Sequence, residues 1–218
     1  KSYKLIDTLY LSPILFFFIP YHNLVKDDKI ISDQLNNPLS DSLKAKQLFE
    51  DEFERFKDLP ENIKRSYYDL LNESDHFKGF FEYAQYSSNR FSYLFNSKAD
   101  NISEILKGLV CSKANISRII ESTPTELAYA LAIIRTGDRY SITPAWVKHQ
   151  FPLVDNIIHT LRGINCGECK YCREHLDARK MLKRWFGYDG FRTFDGESLQ
   201  EDAVNAAIQG KSLLAIFP

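Results

Sequence analysis

Three cysteines stand close together late in the sequence, at Cys166, Cys169 and Cys172. Two C-x-x-C steps share the central cysteine, and this spacing lets one tight turn point three thiolates at a common centre. A tetrahedral site needs a fourth ligand. The sequence offers Cys111, which is remote along the chain, and His175, which follows the third cysteine by three residues. The pattern therefore predicts a cysteine-rich metal loop around which this part of the chain must fold.

Two kinds of metal centre fit this pattern. The nearby His175 favours Zn²⁺, whereas the remote Cys111 together with three clustered cysteines would suit a [4Fe–4S] cluster. Either centre is expected to be structural, because no side chain nearby resembles a catalytic base beside an open coordination position. Three thiols without a metal are the alternative, and the spacing makes that interpretation the weaker one.

The composition indicates a globular protein with no export signal. Of 218 residues, 44% are hydrophobic and 26% are charged, which is enough to bury the core of one domain or two. The apolar run from Ile14 to Ile19 is far shorter than the roughly 20 residues of a membrane helix. We therefore expect a cytoplasmic protein without a membrane partner, where clustered cysteines favour a metal over disulfides. The net charge of −1 gives no basic footprint, so any DNA contact must be local.

The middle of the chain has the apolar periodicity of helices. We predict helices near residues 42–56, 62–71, 77–86, 102–110, 116–121, 125–135 and 155–161, with another beginning near Pro144. Residues 3–11 could form a short strand or a helix, and a loop containing Pro13, Pro20 and Pro38 should follow. The predicted fold class is mainly α: a helical connector with a cysteine-rich metal loop, flanked by partial α/β elements.

After the cysteines the sequence reads Phe-Gly-Tyr-x-x-Phe-Arg at residues 186–192, followed by Gln200 and a helix with small residues. Gly210 and an apolar run over residues 212–217 come next, and the run predicts a buried strand. This ordered set resembles the N-terminal motif of RecQ-type ATP-dependent DNA helicases. In that family the strand runs into the phosphate-binding loop, so the resemblance implies that the chain stops just before that loop. It covers residues 182–218.

The resemblance implies that Tyr188, Arg192 and Gln200 contact the adenine end of ATP, which would bind together with Mg²⁺. The chemistry is suitable, because an aromatic ring stacks on a purine and a glutamine both donates to and accepts from adenine. An arginine can hydrogen-bond or stack nearby. One departure is that residues 193–199 stand where the family has a Pro-Gly step. A residue of this insert could take the place of Gln200.

Three stretches near the beginning of the chain form a second pattern: Asp7-Thr-Leu, Tyr-His22-Asn and residues 36–41. They are similar to the last third of DnaQ-like 3′–5′ exonucleases of the DEDDh type, in which carboxylates hold two metal ions and a histidine activates water. The resemblance implies that His22 is a general base and Asp41 a metal ligand, although Asp27 also fits the family's spacing. The plainer interpretation is an ordinary loop, with Asp41 as a helix N-cap.

These resemblances predict part of an ATP-dependent DNA helicase of RecQ type, which unwinds DNA in the 3′–5′ direction in repair and recombination and is fused to a 3′–5′ exonuclease. The parts would be an exonuclease-like tail (1–58), a helical connector (59–163), the metal loop and its helix (164–181) and the start of a RecA-like domain (182–218). This fragment alone should lack both activities. The alternative is a non-catalytic, metal-stabilised helical module that binds nucleic acid or protein.

Overall fold

The protein is built from α-helices in every part that the computed structural model describes, which is residues 6–18, 38–87, 97–137, 143–163 and 165–214. The helices are α1 (Thr8–Leu15), α2 (Pro38–Lys57), α3 (Glu61–Leu71), α4 (Asp75–Tyr83), α5 (Lys98–Leu106), α6 (Ile116–Ser122), α7 (Pro124–Ile134), α8 (Ala145–Gln150), α9 (Val154–Arg162), α10 (Lys170–His175), α11 (Ala178–Phe186) and α12 (Leu199–Ile208). The predicted mainly α class is confirmed. None of these helices is both long and apolar enough to cross a membrane.

Helix α1 occupies the segment for which the sequence left strand and helix open. It begins after Asp7, whose carboxylate accepts a hydrogen bond from the backbone N–H of Leu9 at 2.9 Å. Pro13 lies inside this helix, so the predicted loop at that position is wrong. Proline removes one helical hydrogen bond, and the burial of the apolar face on Leu11, Ile14 and Leu15 offsets that loss.

Helix α2 begins at Pro38, four residues before the predicted start. Proline is tolerated there because the first turn of a helix leaves its N–H groups unpaired in any case. Pro38 therefore starts a helix and does not belong to a loop, and Asp41 lies in the first turn and is not the N-cap. The charges at the two ends of α2 complement the helix dipole, because Asp41 lies in its first turn and Arg55 and Lys57 lie in its last turn.

Helix α7 lies at the centre of a hydrophobic core to which α1–α9 all contribute. Seven of the eleven residues of α7 are buried, and every residue from Leu127 onward is apolar, as expected for a helix in the centre of a core. The Tyr129 hydroxyl donates to the Tyr10 carbonyl oxygen at 2.9 Å, and this bond ties α7 to α1. Residues on both sides of the predicted division at residue 58 thus share one core.

The aromatic residues of α3 and α4 supply much of this core. The buried ones are Tyr67, Phe77, Phe80 and Phe81. Tyr83 differs because 53% of it is exposed. Its ring meets those of Phe49 and Phe53 on α2 edge-on, with centroids 4.9 and 5.3 Å away. Tyr83 therefore packs at the margin of the core.

Helices α10–α12 lie outside that core. A second, small cluster is formed by buried Cys111, Tyr171 and Cys172 with partly buried neighbours, whereas α12 buries no residue. The strand predicted over residues 212–217 is not seen where it can be judged, because residues 212–214 have no regular secondary structure and residues 215–218 lie outside the described ranges.

Candidate metal centre

The four cysteines of the chain come together at one point. Their Sγ atoms all lie within 4.8 Å of one another, and those of Cys166 and Cys172 are 3.8 Å apart. Cys111 and Cys172 are buried, and Cys166 and Cys169 are half-buried. Four converging thiols can hold a metal centre, because thiolates are the preferred ligands of Zn²⁺ and of iron–sulfur clusters.

Cys111 is contributed by the helical block, which here means α1–α9. Helix α5 ends at Leu106, and the chain turns at Gly108, whose φ of +76° lies in the left-handed region. The backbone N–H of Cys111 then donates to the carbonyl oxygen of Leu161 near the end of α9, at 2.9 Å. Cys111 is thereby fixed by a tertiary contact that no local sequence pattern reveals.

The other three cysteines are brought together by one turn and the helix that follows it. Gly167, with φ +69°, allows the tight turn between Cys166 and Cys169. The Sγ of Cys166 accepts a hydrogen bond from the N–H of Cys169, and the Sγ of Cys169 accepts one from the N–H of Cys172, both at 3.4 Å. Cys169 is also the N-cap of α10. Such N–H groups orient sulfur ligands and stabilise their negative charge.

The thiols of Cys166 and Cys169 have a pKa below the ordinary value of cysteine. Hydrogen bonds from the backbone N–H groups of Cys169 and Glu168 lower the pKa of Cys166. Burial raises the pKa of Cys169, but hydrogen bonds from the N–H groups of Cys172 and Ser112 outweigh it and bring this pKa to about 6. Cys169 is therefore largely a thiolate at neutral pH.

The other two thiols hold their protons more tightly. Burial raises the pKa of Cys111, and it raises the pKa of Cys172 to about 12. Without a cation the buried pair is thus neutral. A divalent cation among the four sulfurs would favour the ionised form of all of them, because metals bind thiolates and displace their protons.

One ion pair at the rim joins the cysteine turn to the block, and one hydrogen bond lies within the turn. The Nζ atom of Lys113, two residues after Cys111, lies 2.7 Å from Oε2 of Glu168 in the turn. The Oδ1 atom of Asn165 accepts from the N–H of Gly167 at 2.9 Å. Sequence reasoning did not identify Lys113, Glu168 or Asn165, whose only local signal is their position beside the cysteines.

His175 is not part of the four-sulfur group. It is the last residue of α10, and its ring stacks on that of Tyr171 with the centroids 4.7 Å apart and an interplanar angle of 20°. Of the two companions that the sequence left open for the clustered cysteines, the structure brings in Cys111.

A cleft separates α10 from the helical block on one side of the centre. It has a volume of about 430 Å³ and is lined by Ile158 and His159 of α9, by Tyr171 of α10, and by Leu176 just after α10. In the described residues, buried contacts between the block and α10–α12 are concentrated at the cysteines and Tyr171.

The three residues expected near adenine lie between the end of α11 and the first turn of α12. Tyr188 is 65% exposed and follows Gly187, which ends α11 in a left-handed conformation. Arg192 is exposed in the connection between α11 and α12, and Gln200 is half-buried in the first turn of α12. Their placement leaves Tyr188 and Arg192 open to a ligand.

Of the two residues expected in an exonuclease site, Asp41 alone falls within the described ranges. Asp41 is half-buried in the first turn of α2, and His22 lies outside the described ranges.

Comparison of the chain with models of protein families, with curated proteins and with solved structures found no match.

Proposed function

We propose that this chain is the metal-centred connector of a RecQ-type ATP-dependent DNA helicase, and that its four cysteines bind one structural Zn²⁺ ion. The observation that carries the proposal is the origin of the four sulfurs. One belongs to the helical block at Cys111, and three belong to the turn and helix that lead into α11. A metal at this point joins two parts of the chain that share little other buried surface.

The sulfur separations favour a single ion over an iron–sulfur cluster. A tetrahedral Zn²⁺ site with Zn–S bonds of about 2.3 Å has sulfurs about 3.8 Å apart, and the Sγ atoms of Cys166 and Cys172 have that separation, 3.8 Å. A [4Fe–4S] cluster binds each cysteine to a different iron and therefore spreads the sulfurs farther apart. All four sulfurs here lie within 4.8 Å of one another.

The helicase part of the proposal is supported by the RecQ-like motif after the metal centre. In the longer protein, Tyr188, Arg192 and Gln200 would hold the adenine of ATP, and the motor would translocate on DNA with 3′–5′ polarity. The metal would fix the start of that motor domain to the helical block. The exonuclease-like residues His22 and Asp41 are not assigned a role in this proposal, because Asp41 lies on α2, which packs in the same core as the rest of the helical block.

A non-catalytic nucleic-acid or protein module is the second candidate, and α11 favours it. This helix carries Arg179, Lys180, Lys183 and Arg184 with no acidic residue, and Trp185 beside them is 67% exposed. Cations and exposed aromatic rings together can bind single-stranded nucleic acid. ATP-independent binding of an oligonucleotide that is lost in Trp185→Ala would favour this function.

Metal analysis tests the centre. The chain, purified anaerobically without chelators, should contain one zinc per molecule. Cys111→Ser should weaken zinc binding strongly, whereas the matched control His175→Ala should retain the metal. Iron with acid-labile sulfide would replace the single ion by a cluster, and a chain with neither metal would refute the centre.

The helicase assignment has a separate test in the gene. The codons that follow Pro218 should encode a glycine-rich loop ending in Gly-Lys-Ser or Gly-Lys-Thr, which cradles the phosphates of ATP. Any other continuation would refute the motor domain and leave the metal centre untouched.

A further inference from the structure

We propose that Arg162 is the positioning residue of the metal centre, because its guanidinium group fixes the loop that carries Cys111. This inference rests on the proposed function, since it assigns a role within the proposed metal site. Arg162 is the last residue of α9 and is half-buried. No feature of the sequence near the clustered cysteines points to it.

Cys111 is the ligand that most needs such a residue. Cys166, Cys169 and Cys172 occupy one turn and its helix, and their own N–H···S bonds hold them in register. Cys111 comes from a loop after α5, and Gly108 makes that loop easy to bend. Its Sγ reaches the other three only if the tertiary structure holds the loop in place.

Arg162 holds this loop from one side. Its Nε atom donates to the carbonyl oxygen of Leu109 at 3.2 Å, and its Nη2 atom donates to the carbonyl oxygen of Ile134 at 3.0 Å. Ile134 is fully buried and ends α7. The guanidinium group therefore ties the Cys111 loop to the helix at the centre of the core.

The neighbouring residue of α9 holds the loop from the other side, because the carbonyl oxygen of Leu161 accepts from the N–H of Cys111 at 2.9 Å. Arginine suits its position because its planar group donates in two fixed directions at once. Its positive charge is also favourable beside the C-terminal carbonyl groups of α7. A lysine at this position would keep the positive charge, but its ammonium group could not donate to both carbonyl oxygens in the same fixed geometry.

The test is a Co²⁺ titration of the full chain, followed by the absorption bands that report the number of thiolates bound to cobalt. Arg162→Lys should weaken Co²⁺ binding about tenfold or more, as is typical for residues that orient metal ligands, and should reduce the four-thiolate signature. The matched control is Arg135→Lys. Arg135 is another arginine of the block that donates from Nη1 to the Tyr67 hydroxyl at 3.2 Å, and its replacement should leave the spectrum and affinity unchanged.

A double-mutant cycle separates positioning from general destabilisation. If Arg162 acts through Cys111, Arg162→Lys should have no further effect on Co²⁺ affinity in a Cys111→Ser chain. An equal loss in both backgrounds, or an equal loss in the Arg135→Lys control, would overturn the positioning role. So would wild-type affinity and spectrum in Arg162→Lys. A wild-type chain that binds neither Co²⁺ nor Zn²⁺ would instead refute the metal centre, and this inference would fall with it.

Discussion

The Sγ atoms of Cys166 and Cys172 lie 3.8 Å apart, beyond the roughly 2.05 Å of a disulfide bond. A bound cation should hold them at this separation and block their oxidation. We therefore expect the zinc-loaded chain to resist a mild thiol oxidant, and the chelated chain to form a disulfide between these two cysteines with the loss of two protons and two electrons. Peptide mass mapping measures the product, and equal oxidation with and without zinc would contradict the expectation.

Metal binding should release protons. Cys111 and Cys172 both have a raised pKa, that of Cys172 being about 12, so both carry protons at neutral pH and lose them on binding a metal. Zinc affinity should therefore rise with pH, and at least these two protons should appear in solution. Calorimetric titration in buffers of different ionisation enthalpy counts them. A binding enthalpy that does not depend on the buffer would contradict proton release.

Glu52 on α2 is a buried carboxyl group in the helical block. Its side chain is fully buried, and within the part of the chain that the structure describes neither of its carboxyl oxygens has a hydrogen-bond partner. Burial, followed by repulsion from Asp7 and Asp51, raises its pKa from an ordinary 4.5 to about 9. Because the folded state binds this proton more tightly than the unfolded state does, the contribution of Glu52 to the free energy of unfolding should be largest below pH 4.5 and should be lost as the pH rises toward 9.

Glu52→Gln should remove this pH dependence. Glutamine needs no proton to enter the core, so the variant should have a free energy of unfolding about 1–3 kcal/mol above that of the wild type at pH 8, with the difference shrinking toward pH 4.5. Urea denaturation at both pH values measures it. The control is Glu50→Gln on the same helix, whose exposed carboxylate lies 3.5 Å from Lys46, and this variant should change stability by less than about 0.5 kcal/mol at either pH.

Arg179 and Glu201 join α11 to α12 through two hydrogen bonds, of 2.6 and 3.0 Å. The pair stands next to Gln200, so it should hold the N-terminal end of α12. We expect Arg179→Lys to speed amide hydrogen exchange in α12 and to leave α10 unchanged, because lysine lacks the fork. Exchange followed by mass spectrometry measures this. Lys183→Ala, which removes an exposed ion pair with Asp189, should not affect α12. Equal exchange in both variants would contradict the role of the fork.

Local patterns in the sequence anticipated much of the helical fold. The helix predicted over residues 125–135 begins within one residue of the start of α7, and Pro144, the predicted start of another helix, lies directly before α8. Such signals are local because capping and proline geometry involve only neighbouring residues. The error at Pro13 has the opposite origin. There, packing against distant residues of the core prevails over a local preference.

The candidate site was predicted only in its local half. The spacing of Cys166, Cys169 and Cys172 predicts that their thiols lie close together, and the structure brings them together. The choice of Cys111 over His175 depends on a backbone hydrogen bond to Leu161, which is a tertiary contact without a sequence signature. The role of Arg162 could not be predicted from the sequence for the same reason. The two acceptors named for it are main-chain carbonyl groups, which any residue could supply.

The cleft between α9 and α10 has a consequence for how the proposed joint responds to its surroundings. Interfaces made of packed hydrocarbon weaken on cooling and in urea, but this one has few such contacts to lose. With metal–thiolate bonds as the main fastening, the attachment of α10–α12 should persist in the cold and in moderate denaturant, and end abruptly when a chelator removes the ion. The attachment of α10–α12 to the helical block would therefore depend on one bound ion and not on a large apolar interface.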